Sequence, residues 1–282
     1  MISPEELTAN VLASHEEVPD PRLRVIIRSL ITHLHAFATE VVLTQDEWAA
    51  GIAFLTAVGH MTDDRRNEFI LLSDTLGLSM LVDLVDHYSD AGETESTVLG
   101  PFWVADAPWR ENGAVIARPE DGDPLHLTGR VLTTGGEPIA EAIVDVWQAS
   151  AKGLYDVQDP EQTPGNLRGR FRTGADGGFD CWTVRPVPYP VPTDGPVGKM
   201  VAALGRHPWR AAHIHFRVSA DGYQALTTHL FDAESEYLDS DVVFGVKEML
   251  IRSIRRVEGV VPEELASKRF EYFEMSGDFI LA

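Results

Sequence analysis

The spacing of apolar residues changes near residue 95, and no other feature of the sequence restricts the fold so strongly. Before that point, "PRLRVIIRSLITHLHAFATEVV", "TQDEWAAGIAFLTAVGHM" and "DDRRNEFILLSDTLGLSMLVDLVDHYSD" repeat apolar residues three and four apart, the period of an amphipathic helix. Asp20 before Pro21, Thr44 with Glu47, and Thr62 or Asp63 supply helix starts, because a short side-chain oxygen can take up an amide N–H that the first turn leaves free. Three or four helices are expected over residues 1–95. Beyond it, short β-rich runs alternate with turns: "LHLTGRVLTT" and "AIVDVWQAS" around "GGEP", "GRFRT" and "FDCWTV" around "GADGG", "AHIHFRVS" and "ALTTHLFD" around "ADG". Strands at this spacing predict an antiparallel β-sandwich over residues 96–282. "DVVFGVKEMLIRSIRRV" reads as a late helix and "FEYFEMSGDFIL" as a final strand. "RPVPYPVPTDGPVG" cannot be a central strand, since each proline removes a ladder donor, and is expected to be a stiff loop. The fold class is therefore mainly β, an antiparallel sandwich core with a helical N-terminal region.

Composition narrows the partners. A net charge of −21 disfavours nucleic acid and anionic membrane surfaces. A single cysteine, Cys181, excludes an internal disulfide framework and a thiolate cluster. No apolar run approaches the roughly 20 residues that span a bilayer, and "MISPEELTAN" lacks the basic and apolar regions of a signal peptide. A reducing cytoplasm is the expected compartment.

Chemistry enters at "WRAAHIHFRV", residues 209–218. In a strand, residues two apart share a face, so His213 and His215 project together while Ile214, Phe216 and Val218 face a core. His33 and His35 form a second His-x-His, but on a helix residues two apart diverge. Only the strand pair can close on one ion. A three-residue hairpin loop, Ala220 to Gly222, would pair His213 with His229 and His215 with Thr227, keeping Leu226 and Leu230 beside Phe216 and Ile214. That register brings His229 onto the histidine face. Tyr155 follows a strand in "AKGLYDVQ", and Tyr189 lies between Pro188 and Pro190. Taken singly, each tyrosine reads as packing and the histidine pair as a partly exposed strand.

Together, "GLYD", "YPVPTDGP" and the R-x-x-H-x-H spacing resemble the intradiol ring-cleavage dioxygenases of catechols, over nearly the whole chain. The resemblance implies that Tyr155, Tyr189, His213 and His215 bind one Fe(III) per subunit, with water or hydroxide completing the site. Such a donor set suits a hard ion: two phenolates and a hydroxide offset its three charges, and neutral imidazoles add geometry without charge. The chemistry implied is Lewis-acid activation of an aromatic diol toward O2, with Tyr189 leaving the ion as it takes a substrate proton. Arg210 would face the negative charge that develops on the ring, and His229, where many relatives carry glutamine, would bond substrate or peroxide. "EFILLSDTLGLSMLVD", "ESTVLGPFW" and "TTHLF" look like the hydroxyquinol (benzene-1,2,4-triol) branch. By that likeness Leu71, Asp74, Val98, Leu99, Gly100, Pro101, Phe102, Val191, Pro192 and Val243 would line the substrate pocket, with Asp74 reading the third hydroxyl. Relatives also imply a homodimer formed through the helical region, with lipid bound there. The alternatives are a catechol or chlorocatechol 1,2-dioxygenase with the same iron, a non-catalytic transthyretin-like or carbohydrate-binding sandwich, and a zinc or copper hydrolase using the histidine pair.

Overall fold

The computed structural model describes residues 2–63, 66–87, 92–265 and 270–282. The chain divides into two compact units, Met1–Ala57 and Val58–Ala282. The first holds α1 (Pro4–Ala13), α2 (Pro21–Glu40) and most of α3 (Gln45–Met61). Two of the expected starts are in place. Asp20 accepts the amides of Arg22 and Leu23 at 2.8 and 3.1 Å, and Thr44 and Glu47 cap each other reciprocally. Arg28 donates to the carbonyl of Leu12 and Thr8 bonds His35, tying α1 to α2. Leu30, Leu34 and Phe37 on α2 are about half exposed.

The second unit opens with α4 (Glu68–Thr75) and α5 (Leu78–Asp86), so among the described residues five helices precede the sheets rather than three or four. Gly77, at φ +76°, turns the chain between them. Asn67 caps α4 through the amide of Ile70, in place of Thr62 or Asp63. Thr62 accepts the Glu68 amide instead. The positions Asp64, Arg65 and 88–90 of the third helical run lie outside the described residues.

Twelve strands follow among the described residues: β1 (Pro124–Thr133), β2 (Ile143–Trp147), β3 (Arg168–Arg172), β4 (Gly178–Val184), β5 (Tyr189–Pro190), β6 (Trp209–Arg210), β7 (His213–Ser219), β8 (Leu226–Asp232), β9 (Ile251–Arg252), β10 (Arg255–Glu258), β11 (Glu271–Ser276) and β12 (Phe279–Leu281). One five-stranded sheet runs β10-β11-β1-β12 with β4 also on β1, the other runs β3-β2-β7-β8-β9, and β5 and β6 pair separately. Leu125, Leu127 and Val131 from the first meet Val144, Val146, Ile214, Phe216 and Val218 from the second in one buried core, the period-two pattern of a sandwich. Of the three turn-separated pairs in the sequence, only β7–β8 is a hairpin. The "GGEP" and "GADGG" turns instead carry the chain from one sheet to the other.

The sheets are mixed rather than purely antiparallel, because β11 and β12 run parallel to β1 and β9 parallel to β8. The cause lies in the C-terminal stretch. The expected late helix is a loop with Phe244 at φ +59°, then a short 3₁₀ turn Glu248–Leu250, then β9 and β10 on the sheet edges. Helical spacing of apolar residues lost there to unpaired sheet edges, which offer backbone partners to a β-branched run. The final strand divides into β11 and β12. The proline-rich segment contributes only the two residues of β5 and then opens α6 (Pro196–Ala203), a helix the sequence reading missed although Pro196 occupies its first turn. No helix among the described residues is long and apolar enough to cross a membrane.

Candidate metal centre

The β7–β8 register sets the centre. His215 faces His229 and His213 faces Phe231, two residues away from the predicted pairing, with Leu226 opposite Val218 and Leu230 opposite Ile214. The connection is wider than expected, and the Gln224 amide in it donates to the carbonyl of the last residue, Ala282. A shift of two preserves side-chain parity, so His229 still shares the histidine face. Tyr155 arrives from a turn after β2 and Tyr189 from β5, which pairs with Arg210 on β6. Gly153, at φ +73°, permits their approach: a Cβ there would lie 2.8 Å from Cβ of Tyr189.

Four donor atoms close into a ring. Tyr155 Oη lies 3.0 Å from Tyr189 Oη, which lies 3.3 Å from His213 Nε2; His213 Nε2 is 3.2 Å from His215 Nε2, itself 2.9 Å from Tyr155 Oη. Donors about 2.0–2.1 Å from a common first-row ion, at angles of about 90–110°, stand roughly 2.9–3.4 Å apart. The four edges fall in that interval, so the residues fit one ion. His33 and His35 lie on α2, with His35 engaged by Thr8. His213, His215 and His229 also form a cluster of candidate nitrogen ligands. His229 is not a fifth donor, however, because Nδ1 is 2.6 Å from Thr97 Oγ1 and Nε2 is 2.7 Å from His215 Nδ1. Both its nitrogens are committed within the protein.

The protonation states leave imidazole lone pairs for a cation between the donors. His213 donates Nδ1–H to the Ala211 carbonyl at 2.6 Å, which leaves its Nε2 lone pair facing the ring of donors. Burial first holds His213, His215 and His229 neutral, well below the usual imidazole range, with Arg210 adding to it at His213 and the neighbouring histidines, ahead of Arg210, at His215 and His229. Burial also pushes the Tyr155 phenol well up, with Tyr189 adding to the effect and Arg210 opposing it. The protein alone therefore keeps that oxygen protonated, and a bound cation is what would ionise it. The chemistry of the set, two phenols and two imidazoles, suits a hard ion of high charge.

Arg210 is fully enclosed beside the ring. Its Nη1 donates to His213 Nε2 at 3.0 Å and to Tyr189 Oη at 3.4 Å, while Nε faces Asp241 at 3.3 Å. Burial works against its charge, but Asp241 and the two tyrosines outweigh that and keep it protonated. Its Nη2 is buried with no partner among the described residues. The second Asp241 oxygen accepts the Gly245 amide at 2.9 Å.

The expected pocket residues divide by position. Phe102 stacks on Tyr155 with centroids 4.6 Å apart, within a buried aromatic group that includes Trp147 and Tyr189. A Cβ on Gly100, at φ +74°, would stand 3.3 Å from His215 Cε1. Val98 is buried next to Thr97, and Val191 is buried two residues beyond Tyr189. Leu71 and Asp74 lie one turn apart on α4, both buried. Arg206 donates to the carbonyls of Thr75 and Val242, tying the end of α4 to the segment that carries buried Val243. Burial raises Asp74 above the usual carboxylate range, partly offset by a Ser79 hydrogen bond and the Arg210 charge. Pro192 is half-buried, and Leu99 and Pro101 are exposed. Sequence reasoning missed Thr97, Asp241 and Trp147. Trp147 pairs with His215 across β2–β7 and stacks on it at 4.7 Å. Asp241 was hidden in a run read as helix.

Residues 98–277 match the family model described as Dioxygenase, and residues 20–94 match Catechol dioxygenase N terminus. The chain is 45% identical over 280 residues to a hydroxyquinol 1,2-dioxygenase of Rhizobium sp. (strain MTP-10005), covering 99% of this chain and 95% of that one. It superposes on the crystal structure of hydroxyquinol 1,2-dioxygenase from Pseudomonas putida DLL-E4 with a TM-score of 0.90 at 45% identity, covering 99% of this chain and 98% of that one. For the structure of catechol 1,2-dioxygenase from Acinetobacter sp. ADP1 the TM-score is 0.83 at 31% identity, with 99% and 91% covered.

Proposed function

The chain belongs to the intradiol ring-cleavage dioxygenases, and on that premise we propose that it uses one Fe(III) per subunit and O2 to cleave hydroxyquinol. The cut falls between the two adjacent hydroxylated carbons and gives a maleylacetate-type product. The observation that carries this reading is the closed ring of phenol and imidazole donors with edges of 2.9 to 3.3 Å. Identity supports the branch: 45% to hydroxyquinol 1,2-dioxygenases against 31% and 39% to two catechol 1,2-dioxygenases.

Tyr155, Tyr189, His213 and His215 would hold the iron. When bound, it supplies Lewis acidity that ionises a chelating diol and readies the ring for O2. The chain's own residues do the rest. Tyr189 Oη, 3.4 Å from the Arg210 guanidinium, receives a proton from one substrate hydroxyl. Arg210, held by Asp241, presents fixed positive charge to the oxygen-rich side of the reacting ring, with Nη2 available to it. Phe102 and Val191 supply apolar walls near the tyrosines. Leu71, Val98, Leu99, Gly100, Pro101, Pro192 and Val243 complete the pocket. Asp74 accepts a hydrogen bond from the third hydroxyl, which catechol lacks, and a site built to bond a hydroxyl discriminates against the analogue without it. His229, expected to bond substrate or peroxide, has both nitrogens engaged by Thr97 and His215 and acts on the centre through His215 instead.

The half-exposed apolar face of α2 supports a homodimer through the helical region of residues 1–95, with lipid at the interface, while residues 96–282 form the catalytic domain, to whose pocket α4 adds Leu71 and Asp74. The proposed compartment is the cytoplasm. Anaerobic titration of the iron-loaded protein with hydroxyquinol and with catechol, followed by oxygen uptake on both and on a chlorocatechol, tests the reading. A visible phenolate-to-iron band that shifts on adding diol, with highest kcat/KM on hydroxyquinol, is expected. A colourless loaded protein refutes the iron centre, and preference for catechol refutes the branch.

A further inference from the structure

Three buried groups in a line, His215, His229 and Thr97, each offer the next a single hydrogen bond. We infer that Thr97, which touches neither iron nor substrate in the proposed centre, is a positioning residue whose hydroxyl, by accepting the His229 proton, supports the tautomer of His215 that presents its Nε2 lone pair to a metal ion. The inference rests on the iron reading above. A nitrogen that binds a cation must present a lone pair, so ligation through His215 Nε2 requires the His215 proton on Nδ1. That N–H then donates across 2.7 Å to His229 Nε2, which must itself be a lone pair. The His229 proton is thereby driven to Nδ1, where it donates across 2.6 Å to Thr97 Oγ1. The hydroxyl is the far end of the line, and unlike the rings it can serve as donor or acceptor by rotating its O–H.

The reversed line is equally well formed. With Thr97 donating, protons fall on His229 Nε2 and His215 Nε2, and the latter N–H points at Tyr155 Oη, 2.9 Å away, and at His213 Nε2, 3.2 Å away. The same three side chains thus have two complete hydrogen-bond patterns, one with a lone pair facing the donor ring and one with an N–H facing it. His213 has no such freedom, because its Nδ1 meets a carbonyl, which only accepts. Trp147, stacked on His215, keeps the ring plane fixed while its proton pattern changes. One histidine is locked for ligation and the other is switchable through Thr97.

The test combines binding with a direct view of the protons. Thr97→Val keeps the shape of the side chain but removes the acceptor, so the ligating pattern leaves a buried His229 N–H unbonded. Affinity for Fe(III), measured against a competing chelator, should fall about 10- to 100-fold, and Thr97→Ser should recover it. In wild-type protein loaded with Ga(III), a diamagnetic stand-in, the 15N resonances should place the His229 proton on Nδ1. This measurement stands even if the valine variant folds poorly. Undiminished affinity in Thr97→Val, or a His229 proton on Nε2 in the loaded wild type, overturns the inference alone. A wild type that takes up neither ion overturns the iron centre itself.

Discussion

Adding one methyl group to Gly153 should disturb the metal centre without touching any ligand's own chemistry. Gly153 is at φ +73°, and a Cβ there would stand 2.8 Å from Cβ of Tyr189, with Tyr189 Cα at 3.7 Å. Two effects follow for Gly153→Ala. The left-handed backbone costs an alanine about 1–2 kcal/mol. The contact is also about 0.6 Å or more inside ordinary van der Waals separation, so Tyr189 or the 150–155 turn must yield by that distance. Tyr189 lies between Pro188 and Pro190 and pairs with Arg210, so little slack exists on its side. Its Oη now completes edges of 3.0 and 3.3 Å; a displacement of this size takes one donor out of reach of an ion shared with three others. Misplacement near 1 Å can lower turnover by about 100-fold. Gly222→Ala isolates the backbone effect, because Gly222 has φ +87° and an added methyl there would meet nothing within 4 Å. The assay compares iron retention, the visible band and the melting temperature of both variants. Gly222→Ala should lower the melting temperature by about 2–8 °C with band and iron content unchanged. Gly153→Ala should lose iron and shift the band. Equal behaviour of the two would refute the claim that this glycine sets the Tyr189 position.

Asp241→Asn leaves the Arg210 guanidinium buried without its counter-charge and should lower stability by about 2 kcal/mol. In activity assays it should reduce kcat more than it raises KM, since it loosens Arg210 rather than the pocket; an unchanged kcat would count against Arg210 acting on the reacting ring. Asp74 has its pKa raised by burial, so the folded protein holds this proton at pH values where the unfolded chain has lost it. Stability from this group therefore falls as pH rises from the unfolded value toward the folded one, and Asp74→Asn should flatten that slope in urea titrations run upward from about pH 4, the ordinary carboxylate value. Asp74→Ala should lower the ratio of kcat/KM for hydroxyquinol over catechol, and a ratio that stays put would remove Asp74 as the reader of the third hydroxyl. Stripping the metal with a chelator should cost about 2.7 kcal/mol relative to protein held at about 100 times Kd. Scanning calorimetry with and without chelator reads this as a lower melting temperature after stripping, and an identical melt would argue against a tightly held ion.

Side-chain parity made the histidines of the centre legible in the sequence, and parity is robust where register is not; Tyr155 and Tyr189 were legible only through the resemblance to a family. His213 and His215 share a face for any strand, and His229 joins them in every register that differs by two, so a pairing wrong by two residues still put the right groups together. A one-residue error would have removed His229 from the site. Thr97 and Asp241 obey no such rule. Each reaches the centre from an irregular segment, and each matters through a single hydrogen bond whose partner lies 132 or 31 residues away. Irregular backbone has no period, so nothing local signals which way its side chains point. The late "helix" failed for a related reason. Apolar spacing there is helical, yet β9 and β10 complete the edges of two sheets that the rest of the chain had already built, and edge pairing is a property of the assembled sheets rather than of the segment. Histidines on one regular strand are thus readable from sequence, whereas the groups bonded behind the site, Thr97 to His229 and Asp241 to Arg210, come into view only with the fold. Substitutions at those two positions are the sharper probes of function, because neither resembles a catalytic residue and each is bonded to a group that does.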